Sequence, residues 1–273
     1  MENKNNILSE IQNVFTKVNR NEYPETSRYL STLLEEPADE DNTPYEIANA
    51  ILQMDIPKQF PDYIITFITG MFELEIADGN ADAMNDLGAQ YYDGSRGFEQ
   101  SFEKAVHFYK MAAGKGNRQA QENLGYCYYY GREGKTDYEK AFHYFALGAF
   151  DGHLISLYKI GDMYLNGLYV PKNEEEAFYI YIRCIETMTE EAEGRVAGPV
   201  YLRLGRMFLE GIGVSKNLKS ALVCYQKVES YLYDMVLSGD IMYKKSLEAS
   251  VAGQKKARDL LAAKLPESTW TFE

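Results

Sequence analysis

The sequence predicts an all-α protein built as a stack of helix–turn–helix units. Three observations carry that prediction. A leucine–glycine pair (isoleucine–glycine in one copy) with an aromatic residue behind it and a second glycine beyond recurs four times in phase. Each copy is followed at near-constant spacing by an alanine and then an aromatic residue. The composition is that of a core-forming chain with little to break helices: 45% hydrophobic, 25% charged, and 8 prolines in 273 residues. A single helical hairpin cannot cover its own apolar face, whereas stacked neighbours can, which is why such units come in arrays.

Residues 1–58 precede the repeats and read as three helices forming a cap. Leu8, Ile11, Val14, Phe15 and Val18 follow a helical period. Thr43-Pro44-Tyr45-Glu46 is a capping box with proline at the first helical position. Between these lies an acidic loop, Glu35 to Asn42.

Residues 59–240 form the array, a half-unit plus four copies. The half-unit ends in Phe72 through Gly79-Asn80. The copies open with Leu87-Gly88-Ala89-Gln90-Tyr91, Leu124-Gly125-Tyr126-Cys127-Tyr128, Ile160-Gly161-Asp162-Met163-Tyr164 and Leu204-Gly205-Arg206-Met207-Phe208. Their glycines lie 37, 36 and 44 residues apart. Second blocks follow: Lys104-Ala105 with Phe108-Tyr109, Lys140-Ala141 with Tyr144-Phe145, Glu176-Ala177 with Tyr181, and Ser220-Ala221 with Tyr225. Each alanine falls 16 or 17 residues after its glycine.

Leu87 and Tyr91 share a helical face at i and i+4. A glycine inside a helix costs about 1 kcal/mol against alanine, so four in one phase imply a packing need. The expectation is small against small, glycine facing alanine, where neighbouring hairpins nestle backbone to backbone. Gly94, Gly131, Gly167 and Gly211 fit left-handed C-terminal caps. The third copy is about eight residues longer. Its extra length, around Ile182–Pro199, predicts a prolonged second helix with the acidic run Glu190-Glu191-Ala192-Glu193 at its end. The fourth copy overruns too, closing only at Gly239. Residues 241–273 read as a capping helix and a non-helical tail carrying Trp270 and Phe272.

The pattern A-x-x-x-L-G-x-x-Y-x-x-G, a variable loop, then K-A-x-x-[WFY]-[YF]-x-x-A-A-x-x-G resembles Sel1-like repeats, relatives of the tetratricopeptide repeat. Ala83 to Gly88 and Gln119 to Gly125 carry it best. The loop G-x-G-V-x-x-[DN] stands as Gly211-Ile212-Gly213-Val214-Ser215-Lys216-Asn217. The resemblance implies a right-handed α-solenoid of helix–turn–helix repeats with helical caps. It also implies a concave face, lined by the first helices, that holds protein or peptide segments.

Charge excludes several functions. Net charge is −13, which argues against nucleic acid or an anionic membrane as partner, since both require clustered Lys and Arg. Residues 1–80 hold 15 acids against 5 bases. Lys244, Lys245, Lys255, Lys256, Arg258 and Lys264 make the far end locally basic, and head-to-tail self-association is one alternative role. The expected state is a monomer or weak homo-oligomer. Three cysteines, Cys127, Cys184 and Cys224, make no disulfide framework and no zinc motif. With no signal-like or membrane-length apolar segment, the reading is cytoplasmic.

No cofactor and no catalysis are expected. Gly131-Arg132-Glu133-Gly134-Lys135-Thr136 lacks both the phosphate-loop spacing and a preceding strand. His107 and His143 repeat one phase of successive second helices. A further alternative is a β-lactam-associated hydrolase branch of the same relatives. That branch carries two cysteines in each repeat, which this chain does not.

The expected binding strip comes from positions three before, one after and four after each repeat glycine. It contains Asn85, Tyr92, Glu122, Tyr126, Tyr129, Tyr158, Asp162 and Arg206, with Arg203 adjacent. Tyrosine supplies apolar area with few rotors to freeze. Asn85 suits a peptide backbone, and Arg203 and Arg206 suit a carboxylate. The competing reading packs these tyrosines between repeats.

Overall fold

A computed structural model describes residues 2–35, 42–56, 59–188, 193–239 and 241–264. Trp270 and Phe272 lie outside the described residues, as do most of the acidic loop Glu35–Asn42 and the acidic run Glu190-Glu191-Ala192. The described residues form thirteen α-helices, one 3₁₀ turn and no strand. They fall into two compact units, Met1–Asp137 and Tyr138–Glu273.

The first unit contains α1 (Glu2–Lys17), α2 (Pro24–Glu35), α3 (Pro44–Gln53), α4 (Asp62–Ala77), α5 (Ala81–Asp93), α6 (Phe102–Gly114) and α7 (Arg118–Tyr130). The three helices read in the leading segment are present, and the capping box is complete. The Glu46 amide donates to the Thr43 hydroxyl, and the Thr43 amide donates to the Glu46 carboxylate. One buried cluster joins the leading segment to the first repeat, running from Ile11 and Leu30 through Ile51, Ile64 and Phe72 to Leu87.

The second unit contains α8 (Tyr138–Phe150), α9 (Leu154–Asn166), α10 (Glu174–Glu186), α11 (Glu193–Glu210), α12 (Leu218–Leu237), the 3₁₀ turn Ile241–Tyr243 and α13 (Lys244–Ala262). Its core has two parts. One gathers Tyr158, Tyr181, Cys184, Val200 and Met207. The other gathers Leu209, Leu218, Tyr225 and Ala257.

The repeated sequence becomes a repeated set of helix ends. Asn80 and Asn117 cap α5 and α7 by accepting amide protons from the first turn. Ser101, Asn173 and Asn217 do the same for second helices α6, α10 and α12. The loop is closed each time by a backbone bond to the aromatic position of the first helix. Ser101 donates to Tyr91 O at 2.8 Å, Asn173 to Tyr164 O at 2.9 Å and Asn217 to Phe208 O at 2.8 Å. Gly94, Gly131 and Gly167 take left-handed φ values of 60°, 66° and 66° at the first-helix C-caps, as read from the sequence.

The in-helix glycines pack differently from the expectation. Gly88, Gly161 and Gly205 face the aromatic ring of the second helix in their own hairpin, and Gly88 also meets the Ala105 carbonyl, so the expected alanine contact is made there within one hairpin. A Cβ at Gly88 would stand 2.8 Å from the Tyr109 ring, one at Gly161 2.7 Å from Tyr181, and one at Gly205 2.9 Å from Tyr225. The glycine is a flat seat for a large ring, and the buried alanine one turn before the ring lets the two backbones close up. Small against large fills the space better than small against small, because interiors tolerate few voids.

The extra length of the third copy also lies elsewhere. Helix α10 ends at Glu186, with the same 13 residues as α9. The added residues instead begin α11, which has 18 residues and Pro199 inside it. Helix α12 does overrun, with 20 residues. The two extensions pair with each other. Leu232 of α12 presses on Gly198 of α11, and Tyr201 stacks on Tyr231 at 6.0 Å and 8°. Each added turn thereby buries the apolar face of the other.

Candidate functional site

Each unit carries a polar row along its first helices. In the first unit the row is ladder-like and gathers around a carboxylate, Asp86. The Tyr45 hydroxyl of α3 donates to Asp86 Oδ2 at 2.7 Å. Asn85 Nδ2 donates to Asp86 Oδ1 at 3.0 Å, and Asn123 Nδ2 of α7 donates to Asn85 Oδ1 at 3.1 Å. Burial, then the Asp86 carboxylate, pushes the Tyr45 hydroxyl well above its usual pKa, so it stays a donor. At one helix start Asn117 Nδ2 donates to Asp82 Oδ1 at 2.7 Å.

Beyond that ladder, toward the C-terminal ends of α5 and α7, lies an aromatic cluster. Tyr126 and Tyr130 stack at 6.1 Å and 9°, and Tyr129 meets Tyr130 edge-on at 5.0 Å. The Arg132 guanidinium sits over Phe102, Tyr92 and Tyr130 at 4.6, 5.4 and 5.6 Å, and its Nε donates to the Tyr92 hydroxyl at 3.0 Å. Cation–π contacts of this kind add about 0.5–1 kcal/mol each where partly exposed. Tyr130 is half exposed.

In the second unit the row is charged. Asp162 of α9 accepts from Arg203 Nε and, at 2.7 Å, from Arg203 Nη2 of α11. It also accepts from the Tyr181 hydroxyl of α10 at 2.7 Å. Lys159 Nζ stands 3.7 Å from the same carboxylate. The Tyr158 ring lies beneath both cations, 5.1 Å from the Arg203 guanidinium and 5.6 Å from Lys159. Burial alone would raise the Asp162 carboxyl. Arg203, Lys159 and the Tyr181 hydroxyl outweigh it and hold the pKa below the usual 3.8. Burial opposes the charge on Arg203, and Asp162 more than restores it.

The expected strip residues therefore divide by phase. Positions three before the glycine are buried in three copies: Asn85, Glu122 and Tyr158. Asp162, one after its glycine, is buried as well. Tyr92, Tyr126 and Tyr129 are half-buried. Arg206 is exposed and pairs with Glu210 at 3.3 Å. Arg203 meets a carboxylate already, that of Asp162 in its own chain. The position three before the glycine turns inward because i and i+3 share a helical face, and the glycine is packed against the second helix.

Sequence reasoning missed Arg132, Lys159 and Tyr181 as members of these clusters. Lys159 had a signal, a cation two positions before the glycine in a helix that is otherwise apolar there. Arg132 had a weaker one, an arginine directly after a capping glycine. Gly131 is that cap, so Arg132–Thr136 form the loop between α7 and the next helix, not a phosphate loop. The three cysteines are buried thiols. Burial raises Cys127 and Cys184 to about 12 and Cys224 to about 11, so none is a ready nucleophile at neutral pH. No helix among the described residues is long and apolar enough to cross a membrane.

A family model for the Sel1 repeat matches residues 81–117, 118–153, 154–183 and 199–227. Among solved structures, a Sel1 repeat protein from Oxalobacter formigenes aligns with a TM-score of 0.63 at 22% identity. That alignment covers 97% of this chain and 98% of that one. A protective antigen of uropathogenic Escherichia coli strains with an SLR fold aligns with a TM-score of 0.57 at 18% identity. The alignment covers 86% of this chain, which spans about half (49%) of the antigen's length. At these identities the likeness shows the fold, a Sel1-type α-solenoid. No curated protein matches the sequence.

Proposed function

We propose, on the premise that this chain belongs to the Sel1 repeat proteins, that it is a non-catalytic scaffold holding a polypeptide along its first helices. Proteins built of Sel1 repeats generally serve as protein-interaction scaffolds. The observation that carries the reading is the tyrosine–arginine cluster of the first unit, with Tyr126, Tyr129 and Tyr130 packed ring on ring and Tyr130 half exposed. Preformed aromatic surface binds at low entropic cost, because few rotors remain to be frozen. In this reading residues 59–240 do the recognition, and 1–58 and 241–273 close the array. The buried thiols fit a reducing compartment such as the cytoplasm.

A peptide array would supply a binder, and titration calorimetry would then rank variants against it. Tyr126→Ala should weaken binding about tenfold, in the range of an aromatic anchor. Arg206→Ala, an exposed rim charge, should weaken it about threefold. Unchanged affinity in both variants would place the site off the first helices. An array with no binder at all would remove the scaffold role.

A further inference from the structure

We propose that the Nη edge of Arg132 takes a carboxylate of the bound polypeptide, from an acidic side chain or a chain end; the inference rests on the scaffold reading and names what the partner must carry. Gly131 turns the chain in a left-handed conformation at the end of α7, and the Arg132 amide donates back to Cys127 O at 2.9 Å. The side chain lies over the rings of Phe102, Tyr92 and Tyr130. A guanidinium has five N–H groups. Nε donates one to the Tyr92 hydroxyl. The others, on Nη1 and Nη2, have no acceptor within hydrogen-bond distance among the described residues. No side-chain nitrogen or oxygen described is both sealed from solvent and unpartnered, so these Nη groups are open to an acceptor from outside.

The charge is unpaired as well. Arg203 and Arg206 each meet a carboxylate, that of Asp162 and that of Glu210. Arg132 meets none within ion-pair distance among the described residues. Glu133, next in the chain, is taken by Lys110 at 2.8 Å. Asp93, beside Tyr92 in the chain, is raised by burial with no cation opposing the rise, so it does not neutralise Arg132 either. The aromatic rings act on the faces of the guanidinium and leave its N–H edge unused. They also keep water from those faces, which strengthens an ion pair formed at the edge. The Tyr92 hydroxyl and the three rings orient the plane before anything binds, so little conformational freedom is lost on binding. A carboxylate sets two oxygens in one plane, which matches parallel N–H groups on Nη1 and Nη2. The half-exposed Tyr130 ring offers apolar surface to the residue that carries it.

The test uses the full chain, with acetate as the first probe and acetamide as its neutral isostere. Arg132 Nε–Hε is followed by ¹⁵N NMR at constant ionic strength. It should shift saturably with acetate and not with acetamide, while Arg28, exposed on α2, drifts without saturating. A peptide binder from the array is then titrated with its carboxylates removed one at a time, each acidic side chain replaced by its amide and the chain end amidated. One removal should weaken binding about tenfold in the unaltered protein and less than about twofold in Arg132→Gln, and its position identifies the source of the carboxylate. Arg132→Lys keeps the charge and loses the fork, so it should bind about tenfold more weakly. Lys135→Gln removes an exposed cation of the same loop and should change affinity by less than about twofold. The inference is overturned if Arg132 behaves like Arg28, if acetamide moves it equally, or if phenyl phosphate binds there more tightly than acetate. Those outcomes are read on the unaltered protein, so a variant that fails to fold does not blunt them. A peptide that binds without needing any carboxylate, or one whose removal costs as much in Arg132→Gln as in the unaltered protein, would overturn this inference alone. Saturation at Arg132 with no binder anywhere on the array would leave an anion site and overturn the scaffold reading.

Discussion

The two units spend the same repeat frame on different chemistry. In the first, the polar row of the first helices is a ladder of amides and a tyrosine around Asp86. In the second, the corresponding row holds Lys159, Asp162 and Arg203 around one tyrosine ring. The hairpin is indifferent to this choice. Gly88 seats Tyr109 and Gly161 seats Tyr181 with the same clearance. The contact that makes the fold and the row that differs are thus separate: one lies on the face turned to the second helix, the other on the face beside it. A repeat can therefore change its polar row without changing its hairpin.

The largest expected difference between the units follows from charge. Asp162→Ala leaves Arg203 and Lys159 without their shared carboxylate and should cost about 3–5 kcal/mol in urea unfolding. Asn85→Ala removes one hydrogen bond to Asp86 and one from Asn123, leaves no cation unpaired, and should cost about 1–2 kcal/mol. Equal losses would erase the distinction between the rows.

The glycine seats sharpen the comparison from the other side, because there the units should agree. Gly88→Ala and Gly161→Ala each push a methyl into a ring and should destabilise by about 1–3 kcal/mol. A large loss in one unit and none in the other would show that the seats are not equivalent.

Acid should separate the units again. The Asp162 pKa is held below its unfolded value of 3.8. Its contribution is therefore fully present above that pH and is lost as pH falls through the depressed folded value. Thermal melts taken from pH 5 downward should show a steeper loss in the unaltered protein than in Asp162→Asn. Parallel curves would mean the carboxylate is not engaged as described. The smallest effect is a control in the first unit. A Cβ at Gly70, inside α4, meets nothing within 4 Å, so Gly70→Ala should stabilise by about 0.5–1 kcal/mol.

Much of the fold was legible because helix ends and ring seats leave marks at fixed spacing. Leu87-Gly88 with Gly94 named a helix and its cap in eight residues, but not the Tyr109 ring that Gly88 seats. The added length around Ile182–Pro199 was misassigned for a physical reason. Periodicity tells that a helix is extended but not on which side of a loop, and Pro199 reads as a break although it sits inside α11. The strip was legible in part. Counting from the glycine found Asp162 and Tyr158 but read them as lining, when α10 and α11 bury them. Their partners Tyr181 and Arg203 lie 19 and 41 residues away from Asp162 in the chain. No local pattern records such a pairing.

The central claim is that recognition belongs to the first helices. Hydrogen–deuterium exchange with a peptide bound tests it most directly, because amide protection reports helix by helix. Slowed exchange confined to α5, α7, α9 and α11, strongest near Tyr126, is the predicted result. Protection on α6, α8, α10 or α12 with the first helices unchanged would contradict it.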